Sequence, residues 1–160
     1  MMLNIFKREK KIELFAPVSG TFVALTAVPD KVFASGMMGK GIAVNPTSDM
    51  VVAPCVGKIT LLPDSKHAFG MKTANGAEIL VHIGLDTVNL KGEGFEAMTQ
   101  AGTKVEAGTP IIKFDRELIE QKGYPLITML LVTNSSDFEV DVSEITEVTA
   151  GKTSVVTVTK

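Results

Sequence analysis

Cysteine, tryptophan and histidine are nearly missing from this sequence, whose 160 residues hold one cysteine, no tryptophan and two histidines. The single Cys55 rules out an internal disulfide framework, and no second cysteine is available for a structural zinc site. A reducing, cytoplasmic compartment is the expected location. Cys55 follows Pro54 at a strand entry and reads as a small buried apolar residue rather than a nucleophile. Neither sign of charge dominates: 16 Lys+Arg against 18 Asp+Glu give a net charge of −2, so no nucleic-acid partner is expected. Long apolar runs are absent too. The most apolar stretch, Pro125–Val132, falls far short of the roughly 20 residues that span a bilayer. At the N-terminus a short apolar start precedes Lys7, Arg8, Lys10 and Lys11, the reverse of a secretory signal. Residues 1–12 are expected as a flexible tail with at most a weak contact to anionic lipid, and residues 13–160 as one domain. Also lacking are a Gly-x-x-x-x-Gly-Lys-Ser/Thr loop for nucleotide phosphates and a Gly-x-Ser-x-Gly nucleophile elbow.

What the chain does contain is punctuation, with 14 Gly and 7 Pro. From Leu14 onward, short apolar runs alternate with Gly, Pro, Asn and Asp, the pattern of an all-β sandwich or barrel. One short surface helix is predicted after the N-cap Asp115, through Arg116–Lys122, stopped by Gly123 with Pro125 beyond. Ser154–Thr159 reads as a closing strand. Ala16-Pro17-Val18-Ser19-Gly20 and Ala53-Pro54-Cys55-Val56-Gly57 share the form Ala-Pro-x-x-Gly before a strand. That repetition fits either a duplicated half-barrel or independent use of the same turn.

The strongest local signal is Asn75-Gly76 between Ala68–Ala74 and Ala77–Ile83, which predicts a hairpin with a two-residue turn. In that register Phe69 faces His82 and His67 faces Gly84, whose missing side chain leaves pocket space for a ring or ligand. His67 and His82 then share a face as diagonal neighbours, with backbones on the order of 7–8 Å apart. A one-residue error would put them on opposite faces. The plain alternative is one partly exposed and one hydrogen-bonded core histidine; as a site, such a pair suits two chemistries. With a nearby carboxylate such as Asp86 it ligates zinc. Alternatively, one neutral imidazole is a nucleophile while the other stabilises charge on a transferred group.

Ser65-Lys66-His67-Ala68-Phe69, Val81-His82-Ile83-Gly84-Leu85-Asp86-Thr87-Val88 and Leu90-Lys91-Gly92-Glu93-Gly94-Phe95 closely resemble the glucose-type enzyme IIA family of the bacterial sugar phosphotransferase system. The likeness extends through Val28–Ala34, Gly39–Pro46 and Gly102–Val105. It implies an antiparallel β-sandwich or barrel of the duplicated hybrid type, with at most short surface helices and a shallow site. It further implies a phosphotransferase component in which His82 accepts a phosphoryl group from phospho-HPr and passes it to the IIB cysteine of a sugar permease. His67 is implied as the phosphoryl stabiliser, and Ser65, where relatives often carry Thr, as the residue that orients it. Asp30 and Asp86 match acidic residues that meet basic partner residues, though ordinary turn aspartates are the commoner reading of such positions. Val32, Phe33, Met37, Met38, Leu80 and Val88 match an apolar rim that docks partners, with buried core the default reading of any one of them, while Lys31 departs from the apolar residue expected there. No cofactor is required, and zinc at His67 and His82, bridging to a partner's carboxylate, is a further reading. The alternative function is a regulatory binding protein whose phosphorylation state controls contacts with transporters or kinases. Membrane association is expected only through the permease or weakly through the tail.

Overall fold

The computed structural model describes residues 10–160. Its architecture is all-β and every strand pairing is antiparallel. The largest sheet has eight strands. In spatial order these are β13 (Glu147–Val148), β2 (Gly20–Ala24), β3 (Lys40–Pro46), β11 (Thr128–Val132), β7 (Glu78–Ile83), β6 (Ala68–Lys72), β5 (Gly57–Leu61) and β9 (Lys104–Val105). Two three-stranded sheets cover it. One runs β1 (Lys11–Phe15), β14 (Ser154–Thr159), β12 (Glu139–Val142), the other β4 (Met50–Val52), β10 (Pro110–Phe114), β8 (Phe95–Ala97). Two short helices complete the fold, α1 (Lys31–Ala34) and α2 (Arg116–Gln121). The second starts as predicted, with the Asp115 side chain accepting from Leu118 N at 3.1 Å.

The main core lies between the sheets and draws on all three, with Leu14, Val156 and Val158 from one cover, Ile112 and Phe114 from the other, and Ile42, Val81 and Leu130 from the large sheet. A second, smaller cluster lies on the opposite face of the large sheet, built from Val28, Phe33, Ala43, Leu85, Ile127, Met129 and Leu131. Strand β11 serves both: Leu130 and Val132 point into the main core and Met129 and Leu131 into the smaller one. A strand buried on both faces has no polar alternation, which explains the unbroken apolar run around it.

The two Ala-Pro-x-x-Gly segments occupy equivalent places. Ala16 N donates to Thr153 O while Gly151 N donates to Ala16 O; Ala53 N donates to Thr109 O while Gly108 N donates to Ala53 O. Phe15 N and Val52 N complete the symmetry by donating to Pro54 O and Pro17 O. A structural repeat, rather than two unrelated turns, accounts for this reciprocity.

Two boundaries need correction. Strand β1 begins at Lys11 and pairs with β14, so residues 11 and 12 belong to the domain rather than to the expected tail. Residues 1–9 of that tail lie outside the described residues. The hairpin is also one residue longer at its turn than predicted. Gly76 N donates to Thr73 O at 3.1 Å and Thr73 N to Ala77 O at 3.0 Å, enclosing Ala74, Asn75 and Gly76, of which Gly76 alone has positive φ (+88°). The cause is tertiary. Asn75 is buried, its Nδ2 donates to Lys10 O and Val158 O, and its Oδ1 accepts from Thr73 Oγ1 and Ala77 N, so the side chain is spent tying the hairpin to β1 and β14.

Candidate active site

In the observed register Ala68, not Phe69, faces His82, and His67 O accepts from Ile83 N at 2.7 Å. Strict alternation from this register would send the two histidines to opposite faces. They nevertheless meet: their ring centroids are 4.9 Å apart, edge to face at 82°. The reason lies at Lys66, whose φ of +52° puts a bend before β6 and takes His67 out of the strand pattern. A left-handed non-glycine residue costs on the order of 1–3 kcal/mol, and such strain tends to be kept where position matters.

His82 sits in the middle of the large sheet. Val23, Ala43, Met129, His82 and Ala68 are successive cross-strand partners over β2, β3, β11, β7 and β6. His82 is the only polar side chain in that row. Its ring also lies 5.0 Å from that of Phe33, centroid to centroid. Phe33, expected on the docking rim, is 8% exposed and forms a wall of the site instead.

The ring nitrogens can be assigned from their partners. His82 Nδ1 lies 2.9 Å from Gly84 O. A carbonyl only accepts, so Nδ1 carries the proton and, in the neutral ring, Nε2 keeps its lone pair. Burial holds the His82 pKa down to about 4, helped by the charge of His67; the Gly84 carbonyl, Asp30 and Asp86 pull the other way and lose. At neutral pH the ring is therefore an uncharged base. His67 is less buried and its pKa is lowered by the same desolvation. Its Nδ1 is 2.7 Å from Ser65 Oγ, a hydroxyl that can donate or accept, so this tautomer is not fixed by geometry.

Gly84 does not supply pocket space. It has φ +75°, and a Cβ there would lie 2.6 Å from both Pro125 O and Thr87 Cγ2, so the residue is needed for its backbone and for the carbonyl under His82. Asp30 is the N-cap of α1, its Oδ1 accepting from Val32 N at 2.9 Å and Phe33 N at 3.4 Å. The turn-aspartate reading and the proximity to His82 thus hold together. Asp86 is exposed, has φ +60°, and begins the turn Thr87–Leu90. Leu80, two residues before His82 on the same face, is half-buried against the smaller core. Val32, Met37, Met38 and Val88 are four of the eight large hydrophobic residues exposed among the described residues, at 46%, 79%, 37% and 50%. Val32 adjoins Phe33, whose ring packs on His82, and Val88 follows Asp86 and Thr87, so both segments present apolar side chains to solvent. The larger cavities, about 760 and 860 Å³, lie elsewhere and are not lined by either histidine.

Among the described residues no group of three or more His, Cys, Asp and Glu side chains is arranged to hold a metal. Cys55 is buried, with its thiol pushed up to about 12, and takes no part. No described helix is long and apolar enough to cross a membrane. Composition and motif spacing did not single out Lys66 or Thr87 as site-shaping; only a positive φ and a buried hydroxyl, both invisible in the sequence, reveal them.

A family described as phosphoenolpyruvate-dependent sugar phosphotransferase system, EIIA 1, matches residues 12–138. This chain belongs to that family. Among its EIIA relatives, the glucose-specific EIIA component of Staphylococcus epidermidis is 42% identical over 152 residues, 94% of this chain and 92% of the relative. The glucose-specific EIIA component of Halalkalibacterium halodurans is 46% identical over 146 residues, covering 91% and 84%. The solved glucose permease IIA from Mycoplasma capricolum superposes with a TM-score of 0.83 at 35% identity, covering 92% of this chain and 96% of that one. EIIA membership makes the chain a component of sugar uptake through phosphoryl transfer, in line with the resemblance seen in the sequence.

Proposed function

We propose that this EIIA chain carries a phosphoryl group on Nε2 of His82, taking it from the phosphohistidine of HPr and passing it to the cysteine of a IIB domain on a sugar permease, in the cytoplasm. The observation that supports this is the hydrogen bond from Nδ1 to Gly84 O, which leaves one lone pair on a neutral ring beside a second imidazole. In the forward step the Nε2 lone pair forms a new N–P bond as the donor's N–P bond breaks, and the electron pair of that bond returns to the donor imidazole. In the second step a IIB thiolate attacks phosphorus and the pair returns to Nε2. Charge spreads over three phosphoryl oxygens in such a transfer, so positioned donors matter more than covalent machinery. His67 supplies that donor through Nε2–H if its Nδ1 accepts from the Ser65 hydroxyl. Asp30 and Asp86 meet basic partner residues, and Val32, Met37, Met38 and Val88 provide the apolar contact.

A zinc reading demands the opposite of His67. Its Nε2 must then offer a lone pair, so Nδ1–H must donate to Ser65 Oγ, and a partner's carboxylate must complete the set. The exposed apolar margin also favours a regulatory role, since a phosphoryl group adds about −1.5 to −2 charges at its centre and would repel a docked protein. Incubation with enzyme I, HPr and phosphoenolpyruvate followed by intact-mass measurement tests the carrier reading. One added phosphoryl group, acid-labile and lost on transfer to IIB, is expected; no mass change overturns it.

A further inference from the structure

We infer that Thr87 is a positioning residue for His82, an inference that rests on the carrier reading and concerns how the nucleophile's tautomer is kept. Thr87 is fully buried. Its hydroxyl donates to Ile83 O, and its methyl packs where a Gly84 side chain would stand. The Ile83–Gly84 peptide is thereby held at both ends, its oxygen by Thr87 and its N–H by Ile127 O at 2.9 Å. The following peptide has its N–H fixed by Pro125 O at 3.1 Å and presents the Gly84 carbonyl to His82 Nδ1.

Every other member of this clamp is backbone. Thr87 is the one side chain in it, and it secures a glycine at φ +75°, the residue type with most freedom to turn its carbonyl away. If that carbonyl swings, Nδ1 loses its acceptor and the proton is free to move to Nε2, which removes the lone pair from the reacting side. The hydroxyl thus acts two steps from the chemistry, through Ile83 and Gly84, on which nitrogen of His82 can attack.

The test pairs Thr87→Val, which keeps the shape and deletes the hydroxyl, with Thr87→Ser, which keeps the hydroxyl and deletes the methyl. Long-range ¹H–¹⁵N spectra of the imidazoles at neutral pH read the tautomer directly, and phosphorylation by phospho-HPr reads the rate. Wild-type protein and Thr87→Ser should both show His82 protonated at Nδ1. Thr87→Val should show mixed tautomers and accept phosphate about tenfold more slowly, a modest share of what a small misplacement of a reacting group can cost. A folded Thr87→Val protein with an unchanged Nδ1–H signal overturns the inference, as does a Thr87→Ser protein equally defective in both readouts. Should Thr87→Val fail to fold, Thr87→Ser decides alone, since a folded serine variant that loses the Nδ1–H tautomer is incompatible with control by the hydroxyl. If the wild-type protein takes no phosphoryl group at all, the carrier reading falls while the ring spectra still decide the role of Thr87.

Discussion

The end of β7 and the bend before β6 each deliver an imidazole to the same spot, and they hold it by different means. His82 stands in a regular strand, flanked by Met129 and Ala68 in the sheet, with its Nδ1 on a carbonyl that can only accept. His67 stands outside the strand pattern, after a left-handed Lys66, with its Nδ1 on a hydroxyl that can do either. A nucleophile needs one lone pair in one place at all times. A group that steadies charge on a moving phosphoryl needs a proton it can offer and withdraw. Under the proposed carrier role, the backbone anchor would suit the first demand and the side-chain anchor the second.

The largest expected effect breaks the comparison outright. Replacing His82 with Gln or Ala should abolish phosphorylation by phospho-HPr, with no mass gain detected, because the remaining imidazole, His67, has its Nδ1 on a hydroxyl rather than on a carbonyl that keeps one nitrogen unprotonated. Replacing His67 with Gln should leave acceptance intact but slow transfer to a IIB domain by about 10²–10³, the usual loss when a transition-state donor is removed. Intact mass and a coupled sugar-phosphorylation assay separate the two. Phosphorylation of the His82 variant together with none of the His67 variant would invert the roles.

How much of this pair the sequence disclosed is instructive. The Asn75-Gly76 signal located the hairpin and the motifs around Ser65 and Val81 located the family, because turn chemistry and short motifs are local. The register was missed by one residue, since the side chain of Asn75 is claimed by Lys10 O, just before β1, and Val158 O of β14, both distant in the chain. The histidines were expected to converge by strand alternation and converge instead through the bend at Lys66, so a sound conclusion came from an incorrect route. Gly84 was misplaced and Phe33 was left between rim and core for a common reason. Whether an apolar residue lines a wall or a rim, and whether a glycine makes room or makes a turn, is decided by packing and φ rather than by residue type.

The comparison sharpens in acid. The His82 pKa is about 4 in the folded protein against 6.5 for an ordinary histidine, so between these values the unfolded chain binds the proton that the folded one refuses. The stability tied to this group is therefore fully present above about pH 6.5 and is lost as pH falls toward 4, by roughly 3 kcal/mol at most. Urea denaturation across that range should show the wild-type midpoint falling more steeply than that of His82→Gln. Parallel pH profiles for the two proteins would mean that His82 is not held neutral by the fold.

The smallest effect isolates the side-chain anchor. Deleting the hydroxyl in Ser65→Ala leaves His67 Nδ1 without its partner, but His67 is only partly buried and water can replace the lost contact. The cost should be near 1 kcal/mol, or about fivefold in transfer to IIB, the range of one ordinary hydrogen bond. Acceptance from HPr, which the proposed mechanism assigns to His82 and its backbone carbonyl, should be unchanged. Ser65→Thr restores the hydroxyl and adds a methyl that restricts its χ1, so it should transfer at least as fast as wild type. The same pair also separates the two readings of His67. If phosphoryl transfer is the task, the hydroxyl serves as donor to Nδ1; if zinc is, it serves as acceptor, and Ser65→Ala should then weaken zinc uptake in the presence of a partner more than it slows transfer. A Ser65→Ala protein impaired equally in both phosphoryl steps would mean that Ser65 supports the whole site, and that the separation between a backbone-held and a side-chain-held histidine does not hold.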